Sequence, residues 1–202
     1  MLSRRILEHV AHLPEGTPVG AKALGHLGSR SSINLALSRL AKEGELSRPG
    51  SGIYVRPIRT RFGSRAPLQE KFVEQLAKVS GETIAPHGAA AANRLGLTSQ
   101  VPLNVTWLTT GRSRRYRLGA LTVHLRHAPP WQLRNVGTVS NEVVRALAWA
   151  GSKRARTAVR QIKSQLDGTA RAELLQARGS LPRWLSTVIS IELASDAHRD
   201  SR

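Results

Sequence analysis

Hydrophobic residues recur every three or four positions along most of this chain and alternate over only a few short stretches. Helices with a minor strand component are therefore expected. Ser3 to Leu13 carries Ile6, Leu7, Val10 and Leu13 on one helical stripe, closed by Pro14-Glu15-Gly16. After the extended Thr17-Pro18-Val19, a small helix from Gly20 or Ala21 to Leu27 is expected, with Leu24 and Leu27 inward. The following stretch is the most sharply patterned. Ile33, Leu37, Leu40 and Ala41 fall at helical spacing behind Ser29, a good N-cap, and Gly44 follows the last turn as its stop. Leu46-Ser47-Arg48 and Ile53-Tyr54-Val55-Arg56 flank Pro49-Gly50-Ser51-Gly52, which predicts a two-stranded ribbon with a flexible, basic tip. Three helices followed by such a ribbon outline a winged helix-turn-helix.

Residues 58–66 hold a glycine and three arginines between Pro57 and Pro67, the composition of an exposed linker. Beyond it the pattern predicts a helix through Leu68, Phe72, Val73, Leu76 and Val79, and a short strand at Glu82 to Ile84. An alanine-rich helix from Pro86 to Leu95 follows, then strands at Val105 to Thr109 and Leu121 to Arg126 joined by an arginine-loaded turn. Helices are expected at 139–149, 152–166, 169–177 and 182–194, with a polar, fraying tail from Ser195 to Arg202. The reading is an α+β protein: a winged helix-turn-helix domain at 1–57, a linker at 58–66, and a C-terminal α+β domain at 67–202 with a small sheet and several helices.

Charge turns this outline toward a polyanion. The chain has 202 residues with a formal net charge of +18, and a surplus of that size destabilises a compact monomer by self-repulsion unless an anionic partner accepts it. Only six of the 31 basic residues are lysines; arginine suits phosphate and guanine edges, although genomic base composition gives the same bias. On a winged helix-turn-helix, the N-terminal half of the Ser29 helix would enter the major groove. The residues there are Arg30, Ser31, Ser32, Asn34, Leu35 and Ser38. Arginine can take guanine O6 and N7, asparagine adenine N6 and N7, and a small apolar group a thymine methyl. Arg48, Ser51 and Arg56 on the ribbon would meet phosphate or the minor groove. The competing reading is a winged helix that binds protein, with these side chains merely solvated.

A second basic region lies where no acidic residue occurs between Glu82 and Glu142, a span that holds seven arginines. Arg112, Arg114, Arg115 and Arg117, with Tyr116 among them, are its densest part, and cations interleaved with an aromatic suit a nucleic-acid backbone with base stacking. An ordinary solvated hairpin tip is the alternative. Lys153, Arg154, Arg156, Arg160 and Lys163 give a further basic stripe, as compatible with a solvated face as with a partner surface.

Catalytic chemistry finds little to work with. Cysteine is absent, which excludes disulfides and thiolate metal sites, and aspartate occurs only at 167, 196 and 200. Paired catalytic carboxylates and two-metal sites lack raw material. There is no phosphate-binding glycine loop, no nucleophile elbow and no H-E-x-x-H. His124 and His127, three apart on a strand, would point to opposite faces. No enzymatic activity, cofactor or metal is expected. No apolar run is long enough to span a bilayer, so a cytoplasmic protein without membrane contact is expected.

The order of parts resembles the AbiEi family of antitoxins from bacterial type IV toxin–antitoxin systems. The resemblance is carried by Ser31-Ser32-Ile33 to Leu37-Ser38-Arg39-Leu40, by Lys42-Glu43-Gly44-Glu45-Leu46, and by Gly52-Ile53-Tyr54-Val55-Arg56-Pro57. Phe62-Gly63, Ala66-Pro67, the Pro86 to Leu97 segment and Trp107-Leu108-Thr109-Thr110-Gly111 extend it. The likeness implies a repressor that binds inverted repeats of double-stranded DNA in its own promoter. It also implies an antitoxin opposing a nucleotidyltransferase-like toxin, without a stable complex between the two. The residues alone support a basic two-domain DNA binder, or alternatively an RNA- or toxin-binding module acting through the 112–117 hairpin.

Overall fold

A computed structural model describes residues 1–100 and 105–194; the expected polar tail at 195–202 lies outside them. The chain is mixed α and β, with eight α-helices and eight short strands in the described part. It divides into two compact units, 1–84 with 113–125, and 85–112 with 126–202. Among the described residues no helix is long and apolar enough to cross a membrane.

The first unit begins with α1 (Leu2–Ala11), which buries Ile6 and Val10. The helix expected at 21–27 is replaced by turns and one 3-10 turn, Gly25–Leu27. Glycines at 20, 25 and 28 leave too few consecutive helix-favouring residues to pay for nucleation. Leu24 is nevertheless fully buried and Leu27 half-buried, so the apolar side faces the core although the backbone is not an α-helix. Next comes α2 (Arg30–Lys42), capped by the Ser29 hydroxyl, which accepts the amide of Ser32. It buries Ile33, Ala36, Leu37 and Leu40 against α1, Val19, Leu46 and Tyr54.

Strands β1 (Ser47–Gly50) and β2 (Ile53–Val55) form the expected ribbon, turned at Ser51-Gly52. Gly52 has φ +68°, which favours glycine there. Val19 adds a third element to this ribbon by a bridge to Tyr54, with amide–carbonyl distances of 2.8 and 2.9 Å. The ribbon is anchored rather than loose. Pro49 is buried, and Gly50 lies so near the Tyr116 ring that a Cβ would come within 3.0 Å of it.

Residues 58–66 depart from the expected extended linker. β3 (Ile58–Thr60) and β4 (Gly63–Arg65) pair antiparallel with Arg61-Phe62 at the tip. The Thr60 hydroxyl holds this turn by accepting the Phe62 amide and donating to the Gly63 carbonyl. Then α3 (Gln69–Ser80) runs to a left-handed Gly81, as its glycine stop predicts. The Glu15 carboxylate accepts the Leu68 amide at 3.0 Å and so caps the start of α3, placing it in the first unit.

In the second unit β5 (Ile84–Pro86) lies beside β6 (Thr106–Thr109). Between them in sequence, α4 (Gly88–Arg94) packs Ala91 and Ala92 on Ala146 of α5 (Val139–Ala150). The approach needs glycine at 88, where a Cβ would sit 2.2 Å from the Arg145 carbonyl oxygen. Helices α5, α6 (Ser152–Ile162), α7 (Gly168–Ala177) and α8 (Arg183–Ala194) enclose the larger core, with Leu147, Ile162, Leu174, Leu185 and Ile189 fully buried. The remaining strands, β7 (Arg114–Leu118) and β8 (Leu121–His127), return through 113–125 to the first unit and form a hairpin in register from Arg114↔Leu125 to Leu118↔Leu121. Residues expected to form a turn are therefore strand residues.

Candidate nucleic-acid interface

The burial of Ile33, Leu37 and Leu40 fixes which side of α2 faces outward. At 100° per residue, Ser31, Leu35, Ser38 and Lys42 make the ridge opposite the core, with Asn34 along one margin and Arg39 along the other. Arg30, Ser31, Ser32, Asn34 and Leu35 are exposed and Ser38 is half-buried. Leu35 is 75% exposed, an apolar side chain standing out of a polar ridge. The Ser32 hydroxyl, by contrast, is occupied in the cap, 2.8 Å from Ser29 Oγ. No acidic residue occurs from Arg30 to Lys42. Lys42 completes the ridge at the i+4 position from Ser38, which residue type alone did not reveal.

Tyr54 ties the ribbon to this ridge. Its hydroxyl lies 3.2 Å from Ser38 Oγ, and the Arg48 guanidinium stands over its ring at 5.6 Å. Arg48 is thereby held beside α2, while Ser51 is exposed at the ribbon tip. Arg56 lies elsewhere: it lines a hollow with Leu7, Ala11, Glu45 and Arg59, on the α1 side. Tyr54 itself was missed as a site residue because an aromatic within an apolar strand reads as core, which it also is.

Ion pairing sorts the remaining charge. Residues 1–66 hold 11 lysines or arginines against four acids. All four acids are matched: Glu8 with Arg4, Glu15 with Arg65, Glu43 with Arg39 and Glu45 with Arg59. Arg5, Lys22, Arg30, Lys42, Arg48, Arg56 and Arg61 have no carboxylate partner among the described residues. Surface pairs of this kind stabilise by at most about 1 kcal/mol. Their importance lies in field: they cancel charge around the unit and leave Arg30, Lys42 and Arg48 uncancelled on and beside α2.

The β7–β8 hairpin corrects the second basic patch. Strand alternation sends Arg115 and Arg117 to one exposed face, opposite His124 and Thr122 of β8. Tyr116 points the other way. It is 6% exposed and meets Phe72 edge-to-face at 5.2 Å, so its ring offers no platform for a base. Arg114 shares that inner side, donating to Glu82 at 2.7 Å and to the Tyr116 hydroxyl at 2.8 Å. Burial opposes its charge, yet the hydrogen bonds to Glu82 and Tyr116 outweigh this and raise its pKa. Exposed Arg112 precedes the strand. On the hairpin itself the patch thus contracts to Arg115 and Arg117. The stripe on α6 contracts likewise, since Arg156 and Arg160 both bind Glu192 and Arg154 stands over Trp149 at 5.3 Å.

No cluster of three or more His, Asp or Glu side chains with metal-binding geometry occurs among the described residues. A family model described as a family of unknown function, DUF6088, matches residues 5–174 and so spans both units. No curated protein matches the chain.

Proposed function

The chain belongs to the DUF6088 family, a family of unknown function, and from there we propose that it is a DNA-binding transcriptional repressor whose α1, α2 and β1–β2 ribbon act as a winged helix-turn-helix. In this reading the outer ridge of α2 enters the major groove. Asn34 and Arg30 read base edges, and Leu35 meets a thymine methyl. Lys42 and Arg48 hold phosphate. What supports it above all is the charge sorting: α2 carries an acid-free ridge with uncancelled cations, while every acid of residues 1–66 is paired.

The test is a gel shift on the DNA upstream of the chain's own reading frame, beside a scrambled duplex. Asn34→Ala or Arg30→Ala is expected to lose preference for the upstream sequence, by about 1–3 kcal/mol per base contact. Arg48→Ala should weaken both duplexes alike. Equal affinity of the unaltered chain for both duplexes would count against the reading.

Autoregulation through inverted repeats, and an antitoxin role against a nucleotidyltransferase-like toxin, extend this proposal on the strength of the AbiEi resemblance alone. They predict a nucleotidyltransferase signature in the neighbouring frame and growth rescue when both are expressed. A second reading, RNA or toxin binding through the hairpin, keeps the exposed Arg115 and Arg117 in its favour. With Tyr116 buried, it is confined to backbone charge. Loss of RNA binding in an Arg115→Ala, Arg117→Ala double variant would support it.

A further inference from the structure

The second unit holds a hollow of about 250 Å³ whose ionisable lining is entirely basic: His87, Arg126, His127 and Arg145, with Gln132, Trp149 and smaller or apolar residues making up the rest of the wall. Arg145 is the unusual member. Its side chain leaves the residue only 3% exposed, and its guanidinium donates to two neutral acceptors, Asn141 Oδ1 and the Pro86 carbonyl. No carboxylate forms an ion pair with it among the described residues; the nearby Glu142 favours its charge but binds Arg94, and burial outweighs that and lowers the Arg145 pKa. A buried charge without a counter-charge costs several kcal/mol, and such groups concentrate where a ligand completes the balance.

We propose that this hollow binds a small phosphate anion, inorganic phosphate or the phosphoryl group of a phosphomonoester. Arg145 and Arg126 supply two positive charges against a dianion, and guanidinium forks match tetrahedral oxygens at good hydrogen-bond geometry. His87 suits the third contact. Its Nδ1 accepts the Ala89 amide at 3.2 Å, which puts the proton of the neutral ring on Nε2, where it can donate. Burial first, and Arg126 second, lower the His87 pKa, so the ring is the neutral donor at neutral pH. The volume suits a single phosphoryl group with little attached and falls below the usual range for larger organic ligands. The site is separate from the α2 ridge and stands whether or not that ridge binds DNA.

The experiment is calorimetric titration of the full chain, near neutral pH, with inorganic phosphate, a nucleoside monophosphate and acetate. One saturable phosphate site is expected, with acetate weaker by at least about tenfold. Arg126→Gln, at an exposed position, should keep the unaltered melting temperature and lose phosphate affinity by about tenfold or more. Arg145→Met should lose it as well; if that chain fails to fold, Arg126→Gln decides alone. Lys153→Ala, outside the hollow, should titrate as the unaltered chain does. Tighter binding of the nucleoside monophosphate than of phosphate would assign the phosphomonoester, and the reverse order the free anion. The proposal is overturned if phosphate does not saturate, if Arg126→Gln leaves its affinity unchanged, or if acetate binds equally well.

Discussion

Tyr54 carries three tasks within one side chain. Its ring fills the core of the first unit, its hydroxyl meets Ser38 on α2, and its face receives Arg48. Replacing it with phenylalanine keeps the ring and removes one partly buried hydrogen bond. Tyr54→Phe is therefore expected to destabilise the chain by about 1 kcal/mol, read as a lower denaturation midpoint. Ser38→Ala removes the same bond from the other end, so the double variant should be less destabilised than the sum of the two. Full additivity would mean that the hydroxyls do not act on each other. Residue identity in the sequence revealed the donors and acceptors of α2, and it indicated Asn34 and Leu35 as outward. It did not reveal that Tyr116 and Arg114 turn inward, because alternation in β7 depends on which neighbour the strand pairs with.

Among the elements, the long helices were legible, while the short helix expected before α2 and the arginine-rich strand were not. Most of the long helices carry an apolar stripe and a stop residue nearby, signals that act over one or two turns. In β7, three arginines within four residues resemble a solvated turn until β8 pairs with them and Phe72 covers Tyr116. The β3–β4 hairpin was hidden for a related reason: arginine and glycine mark exposure, which a linker and an edge hairpin share. The contact of α6 with α8 gives an element-scale prediction. Glu192 Oε1 and Oε2 accept from Arg156 at 2.6 Å and Arg160 at 2.8 Å. Those hydrogen bonds, Arg160 first, hold its pKa down to about 2 from an ordinary value of 4.5. A depressed folded-state pKa stabilises the fold above the unfolded value and loses that contribution as pH falls through the folded one. Between pH 4.5 and about 2 the unaltered chain should lose stability more steeply than Glu192→Gln. Thermal unfolding across that range reads the difference, and parallel curves would remove the linkage.

For the whole molecule, the formal charge of +18 and its sorting into paired and unpaired cations set what the proposed DNA binding predicts. On the proposed DNA-binding reading, affinity for duplex should fall linearly with the logarithm of salt concentration, with a slope near −0.9 for each phosphate neutralised. Lys42→Ala and Arg48→Ala should each reduce that slope by about one, whereas Arg4→Ala, already paired with Glu8, should leave it unchanged. A slope insensitive to Lys42 and Arg48 would place the phosphate contacts elsewhere. By itself the sequence determined the helix-rich α+β class, the amphipathic α2 with its acid-free outer side, and the excess of arginine. These follow from periodicity and composition, which act locally or sum over the chain. Only tertiary structure decided which arginines keep their charge uncancelled, that Tyr54 joins ribbon to helix, and that Arg145 is buried beside a basic hollow. Apart from the i,i+4 pairs of Arg4 with Glu8 and Arg39 with Glu43, these depend on residues far apart in sequence meeting in space, and no local pattern encodes which of many chemically similar partners is met.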